Sequence, residues 1–310
     1  MNLSVNIGSI HFKNPILVAS GTFGYGEEYA GLININKLGG IVTKAITLKP
    51  REGNPPPRIV ETPCGMINSI GLANVGIEKF LKEKMLFLQK FKTPIIVNIA
   101  GENKNEYIKL TERLSETEGI SGLEINISCP NVKRGGLAFG ANPQIAFAII
   151  SAIRKKTKLP LIAKLTPQVT SIVPIAKACE DAGTDGLSLI NTLPAMAIDV
   201  VTRRPKLGNI TGGLSGPAIK PVALYFVWQT FQSVKIPIIG IGGIMNLQDT
   251  LEFLLAGATA VQIGTGLFVD PKIPEKILLG LREYCRGKKI DNLRKIVGTL
   301  ITQIGADYLR

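Results

Sequence analysis

Gly122-Leu-Glu-Ile-Asn-Ile-Ser128 is the stretch that decides the fold of this 310-residue chain. Apolar Leu123, Ile125 and Ile127 alternate with Glu124, Asn126 and Ser128, the period of a strand with one polar face. The strand then runs into Cys129-Pro-Asn-Val-Lys-Arg-Gly-Gly136, a glycine-rich loop whose thiol lies between Ser128 and Pro130 and is flanked by Asn126 and Asn131. By residue type alone, Cys129 is either a small core hydrophobe or a nucleophile or acid among neutral amides. Polar groups facing inward at the carboxyl end of a barrel strand belong to chemistry. The rest of the chain decides between the two.

The same unit recurs on either side. Pro15 to Ser20, Gly40 to Ile46, Pro94 to Ala100, Pro160 to Thr166, Gly186 to Asn191, Pro237 to Gly243 and Ala260 to Gly266 bring the count of short apolar strands to eight. All but the last open with glycine or proline. Helical spacing separates them: Ile77, Phe80, Leu81, Met85 and Leu88 form one apolar stripe, and Tyr107, Leu110 and Leu114 another. Asn142-Pro143 reads as a helix start, and Leu278, Leu281 and Tyr284 share one face of the last helix of the repeat. Eight strands alternating with helices predict a closed α/β architecture, the (β/α)8 TIM barrel, with its site at the carboxyl ends of the strands. An open doubly wound sheet usually has fewer strands, and no G-x-G-x-x-G follows the first one. A β-hairpin around Gly8 to Asn14 is expected to precede the barrel, and residues 1–310 are expected to form one domain.

Two connections, Thr47 to Val75 and Thr192 to Gly216, are too long for turns and leave from the catalytic face. Gly287 to Arg310 reads as a closing helix with Leu293, Ile296, Val297 and Leu300 as its stripe.

Composition narrows the function. The four cysteines are scattered and form no C-x-x-C pair, so neither a zinc ribbon nor an iron–sulfur loop is encoded. His11, the single histidine, lies in the hairpin, which argues against histidine triads and histidine metal sites. The net charge of +13 is spread over helices and loops without interleaved aromatics; a solvated basic face fits best, anionic small ligands next and nucleic acid last. The first residues lack the regions of a signal peptide, and no apolar run reaches the roughly 18–20 residues of a membrane span. A cytoplasmic protein is expected.

The remaining signals lie at strand ends. Gly242-Gly243 and Gly264-Thr265-Gly266 close strands seven and eight, where barrel enzymes bind phosphate through bare backbone. Ser20, Lys44, Asn98, Asn126, Lys164 and Asn191 lie in or end the first six strands. Buried lysines need partners. Glu124 is the one acidic residue in these strands, so the expected partner of Lys44 and Lys164 is a bound anion.

With these residues assembled, Asn126 to Asn131, Lys44 to Asn54 and Met66 to Asn74 resemble class 1 dihydroorotate dehydrogenases, and Asn209 to Pro221 is similar to the NAD-linked 1B catalytic subunits. The resemblance covers essentially the whole chain. It implies an FMN-dependent barrel that oxidises (S)-dihydroorotate to orotate in pyrimidine synthesis. Cys129 matches the family's base, which removes the C5 proton as hydride leaves C6 for the flavin. Ser20, Lys44, Ala45, Asn98, Asn126, Lys164, Ile190, Gly216, Gly242, Gly243, Gly264 and Thr265 match FMN-binding positions. Lys44, Asn68, Ser69, Ile70, Gly71, Leu72, Asn126, Asn131, Asn191 and Thr192 match substrate-binding positions. No metal is implied on this chain. A partner subunit with FAD and a [2Fe–2S] cluster is, passing electrons to NAD+, with two copies of each chain in a heterotetramer.

Other readings are weighed against this one. Fumarate-linked class 1A enzymes share the cysteine but not the Gly208-to-Pro221 motif. A tRNA dihydrouridine synthase would need an RNA-binding domain for which Gly287 to Arg310 leaves too little room. A Schiff-base aldolase would use Lys164, and a non-catalytic barrel would leave Cys129 and the inward amides unexplained.

Overall fold

A computed structural model of the chain describes residues 1–128 and 140–300. Eight parallel strands close into a barrel: Ile16–Val18, Gly40–Val42, Ile95–Ile99, Gly122–Asn126, Leu161–Lys164, Gly186–Leu189, Ile238–Ile241 and Ala260–Ile263, numbered one to eight in that order. Each pairs with the next, and strand eight returns to strand one through Val261 opposite Ile16. Every residue of these strands is buried, which is why they read as apolar runs.

The glycines that open three strands have a spatial reason. The antiparallel hairpin Val5–Ile7 with Ile10–Phe12 closes the amino-terminal end of the barrel, burying Val5, Ile7, Ile10 and Phe12. A Cβ at Gly40 would lie 2.8 Å from the Phe12 ring, one at Gly122 2.7 Å from Ile10 Cδ1, and one at Gly186 2.7 Å from Ile7 Cγ2. Glycine there lets the plug seat. His11 points outward from it, with Nδ1 2.9 Å from Asn6 Oδ1.

Helices pack outside the barrel with the expected faces inward. Tyr107, Leu110 and Leu114 are the buried stripe of Lys104–Ser115. Asn142 caps Pro143–Arg154 by accepting from the Ile145 amide, with proline in the first turn. The Ile77-to-Leu88 stripe lies on Gly76–Lys79, a π-helical turn Phe80–Lys84, and Met85–Leu88.

Two expectations change. Gly287 to Leu300 is not a continuous helix: a 3₁₀ turn, Leu293–Lys295, buries Leu293, and Gly298 at φ 72 turns the backbone out of helical geometry three residues later. Leu300 is exposed, and residues 301–310 fall outside the described residues. The two long connections are not loops alone. They contribute Ile59–Thr62 and Gly65–Asn68 from one, and Leu193–Met196 and Thr211–Ser215 from the other. Together these make a four-stranded antiparallel sheet over the carboxyl end of the barrel, joined between the connections by Asn68 opposite Gly213. Among the described residues, no helix is long and apolar enough to cross a membrane.

Candidate active site

Beneath that sheet lies a cavity of about 1290 Å³, its open mouth included. Seven barrel strands, or the residues just past them, reach it, and the third does not. Of the expected cofactor positions, Ser20, Lys44, Ala45, Asn126, Lys164, Ile190, Gly216, Gly242, Gly243, Gly264 and Thr265 line it. Of the expected substrate positions, Lys44, Asn68, Ile70, Leu72, Asn126, Asn191 and Thr192 do. Residues up to 249 positions apart in sequence therefore share one chamber.

Three expected residues lie elsewhere. Asn98 is fully buried in the barrel, donating from Nδ2 to Glu124 Oε1 at 2.5 Å. Ser69 is fully buried and accepts from Asn54 Nδ2 at 2.9 Å, and Gly71 lines a neighbouring hollow formed by Thr47 to Asn54. Cys129 and Asn131 fall outside the described residues.

The floor carries the main correction. Lys164, buried at the end of strand five, has an acid partner inside the protein: its Nζ lies 3.7 Å from Glu124 Oε1 and donates to Ser20 Oγ at 3.3 Å. Lys44 is half-buried and makes no ion pair among the described residues. Burial lowers its pKa; Glu28 opposes the shift and Arg58 adds to it. A cation that is costly to hold charged is one that an anion in the cavity would relieve.

The amide wall is pre-ordered. Asn126 Oδ1 accepts from the Ser128 amide at 3.3 Å and from its hydroxyl at 3.1 Å. Asn191 Nδ2 donates to the Ser128 carbonyl at 3.2 Å and hydroxyl at 2.9 Å, while Asn191 Oδ1 accepts from the Thr192 amide at 2.8 Å. Ser128 thus ties strand four to strand six immediately before Cys129. The roof is fastened in the same way: Asn68 Nδ2 donates to the Gly213 carbonyl at 3.2 Å, and Thr265 Oγ1 donates to Ser215 Oγ at 2.7 Å. Gly213 has to be glycine, because a Cβ there would collide with the Thr192 side chain.

Strand-end amides, two lysines and glycine-rich turns at strands seven and eight form one chamber, and the comparisons with known proteins agree on its kind. The family model described as dihydroorotate dehydrogenase matches residues 2–284. The chain belongs to the dihydroorotate dehydrogenase family. Two relatives carry the name dihydroorotate dehydrogenase B (NAD(+)), catalytic subunit. One, from Geotalea uraniireducens, is 54% identical over 97% of this chain and 99% of its own. The other, from Thermodesulfovibrio yellowstonii, is 53% identical over 96% and 98%. A solved structure of DHODH from Eimeria tenella in complex with ferulenol has a TM-score of 0.81 at 24% identity, covering 97% of this chain and 88% of that one; it shares the fold.

For a dihydroorotate dehydrogenase barrel, the residues that sequence reasoning passed over are structural supports of the chamber. Asn54 and Asn74 fix the loop from Ser69 to Leu72: Asn54 Nδ2 donates to Ser69 Oγ, and Asn74 Nδ2 donates to the Leu72 carbonyl at 2.8 Å and to Thr47 Oγ1 at 2.8 Å. Both lie inside the motifs that carry the resemblance, yet their roles depend on contacts the motif does not state. Ser128 and Glu124 were visible only as polar residues in an apolar strand. Of the cysteines among the described residues, Cys64 is exposed, Cys285 is buried, and burial pushes the Cys179 thiol up to about 12.

Proposed function

We propose that this chain, acting as one 310-residue domain in the cytoplasm, oxidises (S)-dihydroorotate to orotate in pyrimidine synthesis and is a class 1B catalytic subunit. The observation that carries this reading is the single chamber in which Asn68, Asn126, Asn191 and Thr192 face Lys44, Lys164, Gly242, Gly243 and Gly264. The name shared by relatives above 50% identity supports the substrate and NAD+ as the final acceptor.

The residues present fit FMN. A Cβ at Gly264 would come no closer than 3.6 Å to Ala19 Cβ, so glycine leaves open space against the backbone where an anion can approach. Ser20, Ala45, Ile190, Gly216 and Thr265 complete that side, with Lys164 and Lys44 providing positive charge. FMN, when bound, supplies the acceptor for the hydride that leaves C6 of dihydroorotate.

The substrate is a cyclic ureide whose edge both donates and accepts, and carboxamides match both functions. Asn68, Asn126, Asn191 and Thr192 orient the ring, Asn131 is assigned to the same task, and Lys44 offers its ammonium to the carboxylate. Cys129, the residue after Ser128, takes the C5 proton; with loss of hydride from C6, this leaves the C5–C6 double bond of orotate. A partner subunit with FAD and a [2Fe–2S] cluster would carry the electrons on to NAD+, two copies of each chain forming a heterotetramer.

The test is an anaerobic visible spectrum of the purified chain before and after dihydroorotate. A flavin band that bleaches with dihydroorotate, but not with NADH alone, is the expected result. A colourless chain that FMN cannot reconstitute would overturn the cofactor and the reaction together. A yellow chain indifferent to dihydroorotate would keep the flavin and remove the substrate.

A further inference from the structure

Below the chamber floor, the barrel interior holds a polar layer where such barrels carry branched apolar side chains. At its centre is Glu124, fully buried, with donors from three other strands converging on it. Asn98 Nδ2 donates to Oε1 at 2.5 Å, Ser188 Oγ to Oε2 at 2.8 Å and Gln262 Nε2 to Oε2 at 2.8 Å. A buried carboxylate is retained at a cost unless paired, and its cationic neighbour among the described residues is Lys164 at 3.7 Å, whose own side chain lines the chamber. The three neutral donors satisfy the carboxylate; Lys164 is the contact through which it reaches the cavity.

We infer that Glu124 is the positioning residue of this site: from beneath the floor it holds the Lys164 ammonium in place and sets how much negative charge the cavity above will accept. This rests on the flavin reading. A negative charge fixed beneath the chamber opposes electron uptake by a group that fills it, so Glu124 would hold a bound flavin at a lower reduction potential than Lys164 alone would give it.

The structure also supplies a substitution that can fold. The amide oxygens Asn98 Oδ1 and Gln262 Oε1 are buried without hydrogen-bond partners among the described residues. In E124Q, turning over either amide presents its oxygen to the new Gln NH2, so the contact to residue 124 is kept without the charge. E124D is the companion: it keeps the charge.

Two measurements separate this inference from the reading beneath it. In the flavin-free chain, the Lys164 ammonium is observed by NMR after isotopic labelling. E124Q should free it from its fixed position, moving its resonance and raising its mobility relative to wild type, with E124D changing less. An unchanged resonance and mobility would overturn the inference whether or not FMN binds. In the FMN-loaded chain, the midpoint potential of E124Q should rise by at least a tenfold change in the reduction equilibrium, about 30 mV for a two-electron couple, with E124D closer to wild type. A potential that stays put or falls in a yellow, folded E124Q would overturn the tuning role. A wild-type chain that takes no FMN would instead remove the proposed function.

Discussion

Asn191 holds Ser128 by its carbonyl and its hydroxyl, and Ser128 immediately precedes Cys129 in the chain. With Cys129 as the base, C129A should retain its flavin but reduce it with dihydroorotate roughly 10²–10⁴-fold more slowly, the usual contribution of general base catalysis. Stopped-flow reduction across pH checks the assignment. The wild-type rate should climb with pH as the thiol ionises, and C129S should lose that climb. Equal profiles for the two would remove the thiol from the proton transfer. Lys44 gives a second pH signal. Its folded pKa is lowered, so between that value and the unfolded value of about 10.4 the unfolded chain binds more protons and stability rises with pH. Denaturant midpoints should show an alkaline gain in the ligand-free wild type that K44M lacks. At this scale the sequence was legible where a residue type is out of place in a buried strand, as with Lys164 and Asn126. Glu124 was misread because its partners, Asn98, Ser188 and Gln262, come from strands three, six and eight and meet only across the barrel.

The eight barrel strands were legible because burial on both faces leaves an unbroken apolar run and glycine or proline marks the entry. The four roof strands were not. Each has four or five residues, several are half-exposed, and their pairing joins positions such as Asn68 and Gly213, 145 residues apart. No local periodicity encodes that. The roof also gives an element-scale prediction. In G213V the new side chain meets Thr192, so the Thr211–Ser215 strand must shift and carry Asn68 with it. Overpacking of this kind should cost about 1–3 kcal/mol by urea unfolding, and the KM for dihydroorotate should rise more than kcat falls. A variant with normal KM would show that the roof does not hold the substrate side of the chamber.

For the whole molecule, the chamber draws on almost the full length of the chain, from Ala19 to Phe268, so any ligand that fills it bridges both halves of the barrel. FMN at about 100 times its Kd should stabilise the fold by roughly 2.7 kcal/mol, measured as a denaturant midpoint. Riboflavin, which lacks the phosphate, should stabilise less if the glycine turns at strands seven and eight hold that group. Equal effects would move the phosphate elsewhere. The global architecture was readable because eight repeats of one unit admit one closed arrangement, whereas the end of the chain was not, since Gly298 at φ 72 breaks a stripe that hydrophobic spacing alone would continue.

Barrel closure also sets the order in which this protein can be born. Ile16 lies on a strand whose neighbour on one side, through Val261, leaves the ribosome some 245 residues later. At about 5–20 residues per second, that edge waits on the order of tens of seconds. Until then Leu17 and Val18, wholly buried in the finished barrel, belong to an unclosed sheet, and the hairpin before them waits for strands four and six to seat against it. For a nascent chain of this kind, the hazard lies at its beginning and the remedy near its end.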